Sequence, residues 1–171
     1  KFRTDFASNL KNSDQFGRSS LEAKYSYRYL KNNQKRWISL RGYMGGFWNN
    51  QFNSLSNPNY LMSISGMNGT QDLFVEDYFF GRNITSGIWS NQRLDNMGGF
   101  SSTSTFGTTN QWMATANIYI QIPVKPNMFG IFVDVGTVKV GAKNYNLFNT
   151  GLALKLSDVF GIYFPIYMND N

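Results

Sequence analysis

Apolar and polar residues alternate with a period of two along most of the chain, over stretches too long for ordinary soluble strands, and many polar partners are charged. Leu21, Ala23, Tyr25, Tyr27 and Tyr29 fall on one side of an extended segment, and Ser20, Glu22, Lys24, Ser26 and Arg28 fall on the other. Wound as a helix, the same residues would scatter those charges around the circumference and bury several of them. The pattern recurs downstream. Trp112, Ala114, Ala116, Ile118, Ile120, Ile122 and Val124 alternate with Met113, Thr115, Asn117, Tyr119 and Gln121, and Phe129, Ile131, Val133 and Val135 alternate with Gly130, Phe132, Asp134 and Gly136. Leu152, Leu154 and Leu156 form a third such set, and Phe160, Ile162, Phe164, Ile166 and Met168 a fourth. Weaker examples are Phe2/Thr4/Phe6, Ile38/Leu40/Met44 and Phe100/Ser102/Ser104/Phe106. With a short segment at 61–65, the pattern predicts about nine strands and no helix.

Connections are uneven. Asn32-Asn33, Asn110, Pro126-Asn127 and Asp158 mark tight turns. Residues 9–16 form a moderate connection. Residues 66–96 make a loop of about thirty residues, a length that inside a sheet usually carries function. Gly42, Gly45 and Gly46 are candidates for a strand bend or for close approach of that loop.

What faces the apolar side follows from strand length and from charge. Residues 19–30, 35–47 and 111–124 each exceed the five or six residues usual for soluble strands, whereas a tilted strand needs about nine to eleven to cross a bilayer. Glu22, Lys24, Arg28, Arg41, Asp134 and Lys155 fall on the polar side, where a dry core would be costly for them and a wet lumen would not. Tyr27, Tyr29, Trp37, Phe47, Trp48, Trp89, Trp112 and Phe164 lie near strand ends as candidate interfacial aromatics. The expected fold is therefore all-β, an antiparallel transmembrane β-barrel. An open barrel edge in lipid is costly, and a strong strand is followed at once by Asn169-Asp170-Asn171. We therefore expect residues 1–171 to be part of a larger barrel, with strands before Lys1 and one after Asn171.

Composition narrows the chemistry. The chain has no Cys and no His, which removes thiolate and imidazole metal sites, cysteine nucleophiles and histidine-based triads. Charged residues are 15% of its 171 residues, and aromatics are 17%. The net charge of +6 is scattered rather than run together, so nucleic acid is not an expected partner. Adjacent Glu76 and Asp77 point to opposite sides of an extended chain and make a poor acid–base couple. The expectation is a non-enzyme without cofactors or metal.

The order of motifs in the last third then adds a resemblance. A strand ending in Ile122-Pro123 is followed by Gly130-Ile131-Phe132-Val133-Asp134-Val135-Gly136. Thr150-Gly151-Leu152-Ala153-Leu154-Lys155-Leu156 comes next, and Phe160-Gly161-Ile162-Tyr163-Phe164-Pro165-Ile166 closes the series. Over residues 61–171 this resembles the C-terminal barrel of the bacterial surface antigen superfamily, the BamA- and TamA-like outer-membrane assembly and translocation proteins. The resemblance implies a barrel of about sixteen strands and a bacterial outer-membrane location. It implies outer-membrane lipid as a partner, together with other outer-membrane or periplasmic proteins.

It also implies a long loop inside the lumen carrying an Arg-Gly pair. Two places compete for that pair. Arg41-Gly42-Tyr43 matches the letters within a strand, whereas Phe80-Gly81-Arg82-Asn83 has the two reversed but lies in the loop, and position favours Gly81 and Arg82. Asp134 is a candidate ion-pair partner for Arg82 or Lys155, against plain solvation. The abundance of Asn, Tyr and Phe is similar to barrels of the Bacteroidetes lineage, some of which are fused to a zinc aminopeptidase-like domain. Three readings follow: a barrel involved in outer-membrane protein assembly or translocation, a barrel that anchors a periplasmic aminopeptidase-like domain, and a soluble barrel binding an apolar ligand.

Overall fold

A computed structural model describes residues 1–9, 14–30, 36–50, 61–65, 97–101, 107–125, 127–155 and 161–169. Those residues contain nine strands and no helix: β1 (Phe2–Asn9), β2 (Asp14–Leu30), β3 (Arg36–Asn50), β4 (Met62–Ser63), β5 (Thr108–Thr109), β6 (Trp112–Gln121), β7 (Phe129–Val140), β8 (Lys143–Lys155) and β9 (Gly161–Asn169). Seven form one antiparallel sheet in the order β1-β2-β3-β6-β7-β8-β9, and β4 pairs with β5 in a separate two-stranded ribbon. Every neighbour in the large sheet is the next long strand in sequence, so the chain winds up and down. It departs from the sheet between β3 and β6. The chain is all-β and antiparallel, as the alternation predicts.

Register turns that alternation into two faces. On one face, Tyr25, Leu40, Ile118, Val133 and Thr150 sit directly opposite one another from β2 to β8, with Tyr27, Ile38, Ile120, Ile131, Leu152 and Phe164 in the next row. This face is bare: Leu21, Tyr25, Tyr27, Leu40, Met44, Ile131, Val135, Leu152 and Phe164 are all exposed. On the other face, Lys24, Arg41, Asn117, Asp134 and Asn149 form one directly opposed row. Four of these, Arg41, Asn117, Asp134 and Asn149, are buried. The sheet thus hides its ionic side and displays its apolar side, the reverse of a sheet folded in water.

Several local expectations change. The connection after β1 spans only 10–13, because β2 begins at Asp14, and β6 ends at Gln121, leaving Ile122 to Val124 outside it. The Gly141-Ala142 turn, which carried no sequence expectation, joins β7 to β8, with Val140 paired to Lys143 and Gly141 at φ 61°. A left-handed turn of that kind suits glycine. Phe100 and Ser101 belong to no strand; they lie on the covered face, and 102–106 fall outside the described residues. Trp37 and Phe47 share the covered face with Arg41, so neither is an interfacial aromatic: Trp37 packs on Tyr119 and Phe47 on the buried cluster. Tyr29 sits where the β2–β3 register shifts, and its hydroxyl donates to the Gln121 carbonyl. Trp48 bulges over Gly17 and stacks on Phe6, on the bare side. Trp89 and Asp158 lie outside the described residues.

Candidate functional site

The covered face holds a polar row that grips a segment of the chain's own backbone. Arg41, on β3, uses each nitrogen of its guanidinium. Nε donates to Glu22 Oε1 at 2.6 Å, Nη1 to Asn117 Oδ1 at 3.0 Å and Nη2 to the Met97 carbonyl at 2.7 Å. Asn117, on β6, accepts from Arg41 and donates through Nδ2 to Asp134 Oδ1 at 2.9 Å and to the Gly99 carbonyl at 3.3 Å. Asp134, on β7, accepts the Ser101 N–H at 2.9 Å and the Asn149 Nδ2 at 3.5 Å on its other oxygen. Thr115 adds a hydroxyl bond to the Gly98 carbonyl at 2.9 Å. The carbonyls of Met97, Gly98 and Gly99 and the amide of Ser101 are therefore all bonded to side chains of the wall. Buried charges require such saturation, since each unpaired group would be expensive away from water.

One side of this row is apolar. Met62, Ile64, Met97 and Phe100 pack with Tyr43, Met113, Val138 and Leu147 into one buried cluster. The first four come from the two inward segments and the last four from the wall, so the segments complete the core of this face. Within it, the Ser63 amide donates to Met97 Sδ at 3.1 Å, and the Phe100 amide donates to the Ile64 carbonyl at 2.9 Å. The opposite side is aromatic: Tyr119, Phe132, Ala153 and Tyr163 cluster, with Phe132 and Tyr163 edge to face at 5.4 Å.

Glycines allow the approach. A Cβ on Gly98 would overlap the Ile64 carbonyl, and one on Gly45 would come within 2.6 Å of the Tyr43 hydroxyl and 3.0 Å of Met62 Sδ. Gly45 thus serves the close approach expected of the glycine group, while Gly42 borders open space. Gly98→Ala should loosen residues 61–65 from 97–101, costing about 1–3 kcal/mol through overpacking against backbone. Amide exchange at Phe100 reads this directly; protection equal to wild type would refute the clash.

Glu22, Arg41 and Asp134 belong to one connected network, with Lys24 bridging to Glu22 at 3.5 Å. Arg28 shares their face but is exposed. Lys155 does not reach Asp134: it lies six positions along β8 from Asn149, the residue opposite Asp134, or about 20 Å at strand rise. Its ammonium instead sits over the Tyr119 ring at 3.9 Å and the Trp37 ring at 5.2 Å. Plain solvation of Asp134 is also excluded, because the residue is fully buried. Gly81, Arg82, Glu76 and Asp77 lie outside the described residues.

Sequence reasoning overlooked Thr115, Asn117, Asn149 and the 97–101 segment. Asn117 stood out in no motif, because its partnership with Arg41 and Asp134 depends on cross-strand register. One signal was present: Gly98-Gly99 beside a long loop marks backbone that can approach a wall closely. No protein-family model, curated protein or solved structure matches the chain.

Proposed function

We propose that this chain is a non-enzymatic part of a transmembrane β-barrel wall in a bacterial outer membrane, with its own inward segments fixed against the lumen side. The observation that carries the reading is the inversion of the sheet. Its bare face is apolar through its middle rows, and the described charged residues that share its parity, Arg36 and Lys139, stand toward strand ends. Its covered face holds Glu22, Arg41 and Asp134. In water an apolar face of this extent would drive association, whereas hydrocarbon is its natural solvent. Strands of 17, 15, 10, 12, 13 and 9 residues for β2, β3 and β6–β9 meet the span of about nine to eleven.

Within that reading, the order of the Phe132-Val133-Asp134, Gly151-Leu152 and Phe164-Pro165 motifs supports a surface-antigen-like barrel of about sixteen strands, acting in outer-membrane protein assembly or translocation. A barrel that anchors a periplasmic aminopeptidase-like domain is the second reading. It is favoured by the saturation of the 97–101 backbone, which suits a wall that stays closed. A soluble barrel for an apolar ligand would instead turn Ile118 and Leu152 inward, away from where they lie.

Because the chain has no cysteine, single cysteines report their surroundings cleanly. In reconstituted liposomes, Ile118→Cys and Leu152→Cys should resist a water-soluble maleimide, and Arg28→Cys should react. Fast labelling of Ile118→Cys in intact liposomes would overturn the membrane reading.

A further inference from the structure

Rings on the bare face fall on a line. Phe6 stacks on Trp48 with centroids 6.4 Å apart, and Phe148 packs on Tyr167 at 5.8 Å. Trp112, on β6, stands between the two pairs, and Phe6, Trp48, Trp112 and Tyr167 are exposed. Each ring stands at a polar limit. One or two positions farther toward the strand end come Ser8 after Phe6, Asn49 after Trp48, Asn110 before Trp112, Asn146 before Phe148 and Asn169 after Tyr167. The line is oblique to the hydrogen-bonded rows of the sheet. Followed along those rows to β2, Phe6 is level with Gly17, Trp112 with Ser19, Phe148 with Ala23 and Tyr167 with Tyr25. The other end of the bare face slants the same way. One row beyond Ile38, β3 carries Arg36, whereas one row beyond Ile131, Leu152 and Phe164 the strands β7–β9 still carry Phe129, Leu154 and Ile162.

We propose that these five rings are the girdle at which the outward face passes from hydrocarbon to lipid headgroups, so that the bilayer surface crosses the sheet diagonally. The inference rests on the membrane reading above and adds where each strand enters the headgroups. Aromatic rings settle at that boundary, and Trp and Tyr most of all, because the ring body favours the apolar side and the polar tip the wet one. From Gly17 to Tyr25 is eight residues, about 27 Å along a strand, and from β1 to β9 is six strand spacings, about 29 Å across the sheet. Their ratio sets the strands at about 43° to the membrane normal, where strands of bilayer barrels lie at about 35–45°. On β3 the bare face carries no polar side chain from Ile38 to Trp48, a run of about 34 Å along the strand. At that tilt the run rises about 25 Å along the normal, the height of an outer-membrane barrel's apolar band.

Met44 and Asn146 test the slant, because they share one row, through Ala114 and Thr137, yet fall on opposite sides of the line. Both are exposed. In phosphatidylethanolamine–phosphatidylglycerol liposomes, a nitroxide on Met44→Cys or Asn146→Cys of the full-length protein reports its depth through collisions with oxygen and with a water-soluble nickel chelate. Met44 should lie about 10 Å deeper than Asn146, three strand spacings away, with Thr137→Cys between them. Equal depths, or Asn146 the deeper, overturn the diagonal boundary while Ile118→Cys stays shielded from the chelate, and the membrane reading then stands without it. A nitroxide at Ile118 open to the chelate instead strikes the membrane reading, and the boundary falls with it. Polarised infrared absorption of oriented bilayers reads the tilt without any variant. It should give about 43°, and strands close to the membrane normal overturn the proposal.

Discussion

Asp134→Ala should free the inner segment from the wall. The carboxylate accepts two short hydrogen bonds, from the Ser101 amide and from Asn117 Nδ2, both at 2.9 Å, and a longer one from Asn149 at 3.5 Å. All four residues are buried. Alanine leaves the donors without an acceptor, and each orphaned buried donor costs about 1–3 kcal/mol, so the two short bonds together are worth about 2–6 kcal/mol. The loss should appear first as faster amide exchange at Ser101 and Phe100, well before the sheet itself opens. Asp134→Asn keeps one acceptor for Ser101 but turns an amide NH2 toward that of Asn117, and should fall between. Arg41→Lys should also loosen Met97, because one ammonium cannot satisfy three acceptors spread around a guanidinium fork. Unchanged exchange at Ser101 in Asp134→Ala would show that the Asp134 carboxylate does not hold the segment, leaving it to the apolar cluster and to the bonds from Arg41, Thr115 and Asn117.

The second large effect separates the two faces of the sheet. Ala116 lies on the bare face between Gly42 and Val135, in a row of small and apolar side chains. If that face meets hydrocarbon, Ala116→Lys places a charge near mid-bilayer and should cost about 2–4 kcal/mol. Lys24→Leu, on the opposite face, removes a half-exposed ammonium 3.5 Å from Glu22. A pair so open to solvent contributes only about 0–1 kcal/mol. Denaturant titration of folding into liposomes should therefore rank Ala116→Lys as much the more damaging. The reverse ranking would reject the assignment of the bare face to lipid.

These two tests touch residues of unequal legibility. Ala116 and Lys24 could be assigned to faces from the sequence, because side chains alternate strictly along a strand and a single charged position sets the sense of the whole stretch. Asp134 was singled out too, with Arg82 or Lys155 as its candidate partner; Arg82 lies outside the described residues, and Lys155 does not reach it. The structure gives it Asn117, Asn149 and a backbone amide rather than Lys155, which is stacked on aromatic rings far along the strand. Trp37 and Phe47 were misplaced for a related reason. Their proximity to strand ends suggested an interface, while strict parity with Arg41 puts them on the covered side.

By itself, then, the chain of side chains determined strand identity, strand direction of facing and the separation of ionic from greasy surfaces, all of which are local consequences of a two-residue repeat. Tertiary structure alone decided that Lys24, Arg41, Asn117, Asp134 and Asn149 line up in one row, and that Met97 to Ser101 lies across it. Register between strands far apart in sequence has no local signature. It is set by the sum of many cross-strand contacts, and a polar row forms only once those contacts have brought its members level.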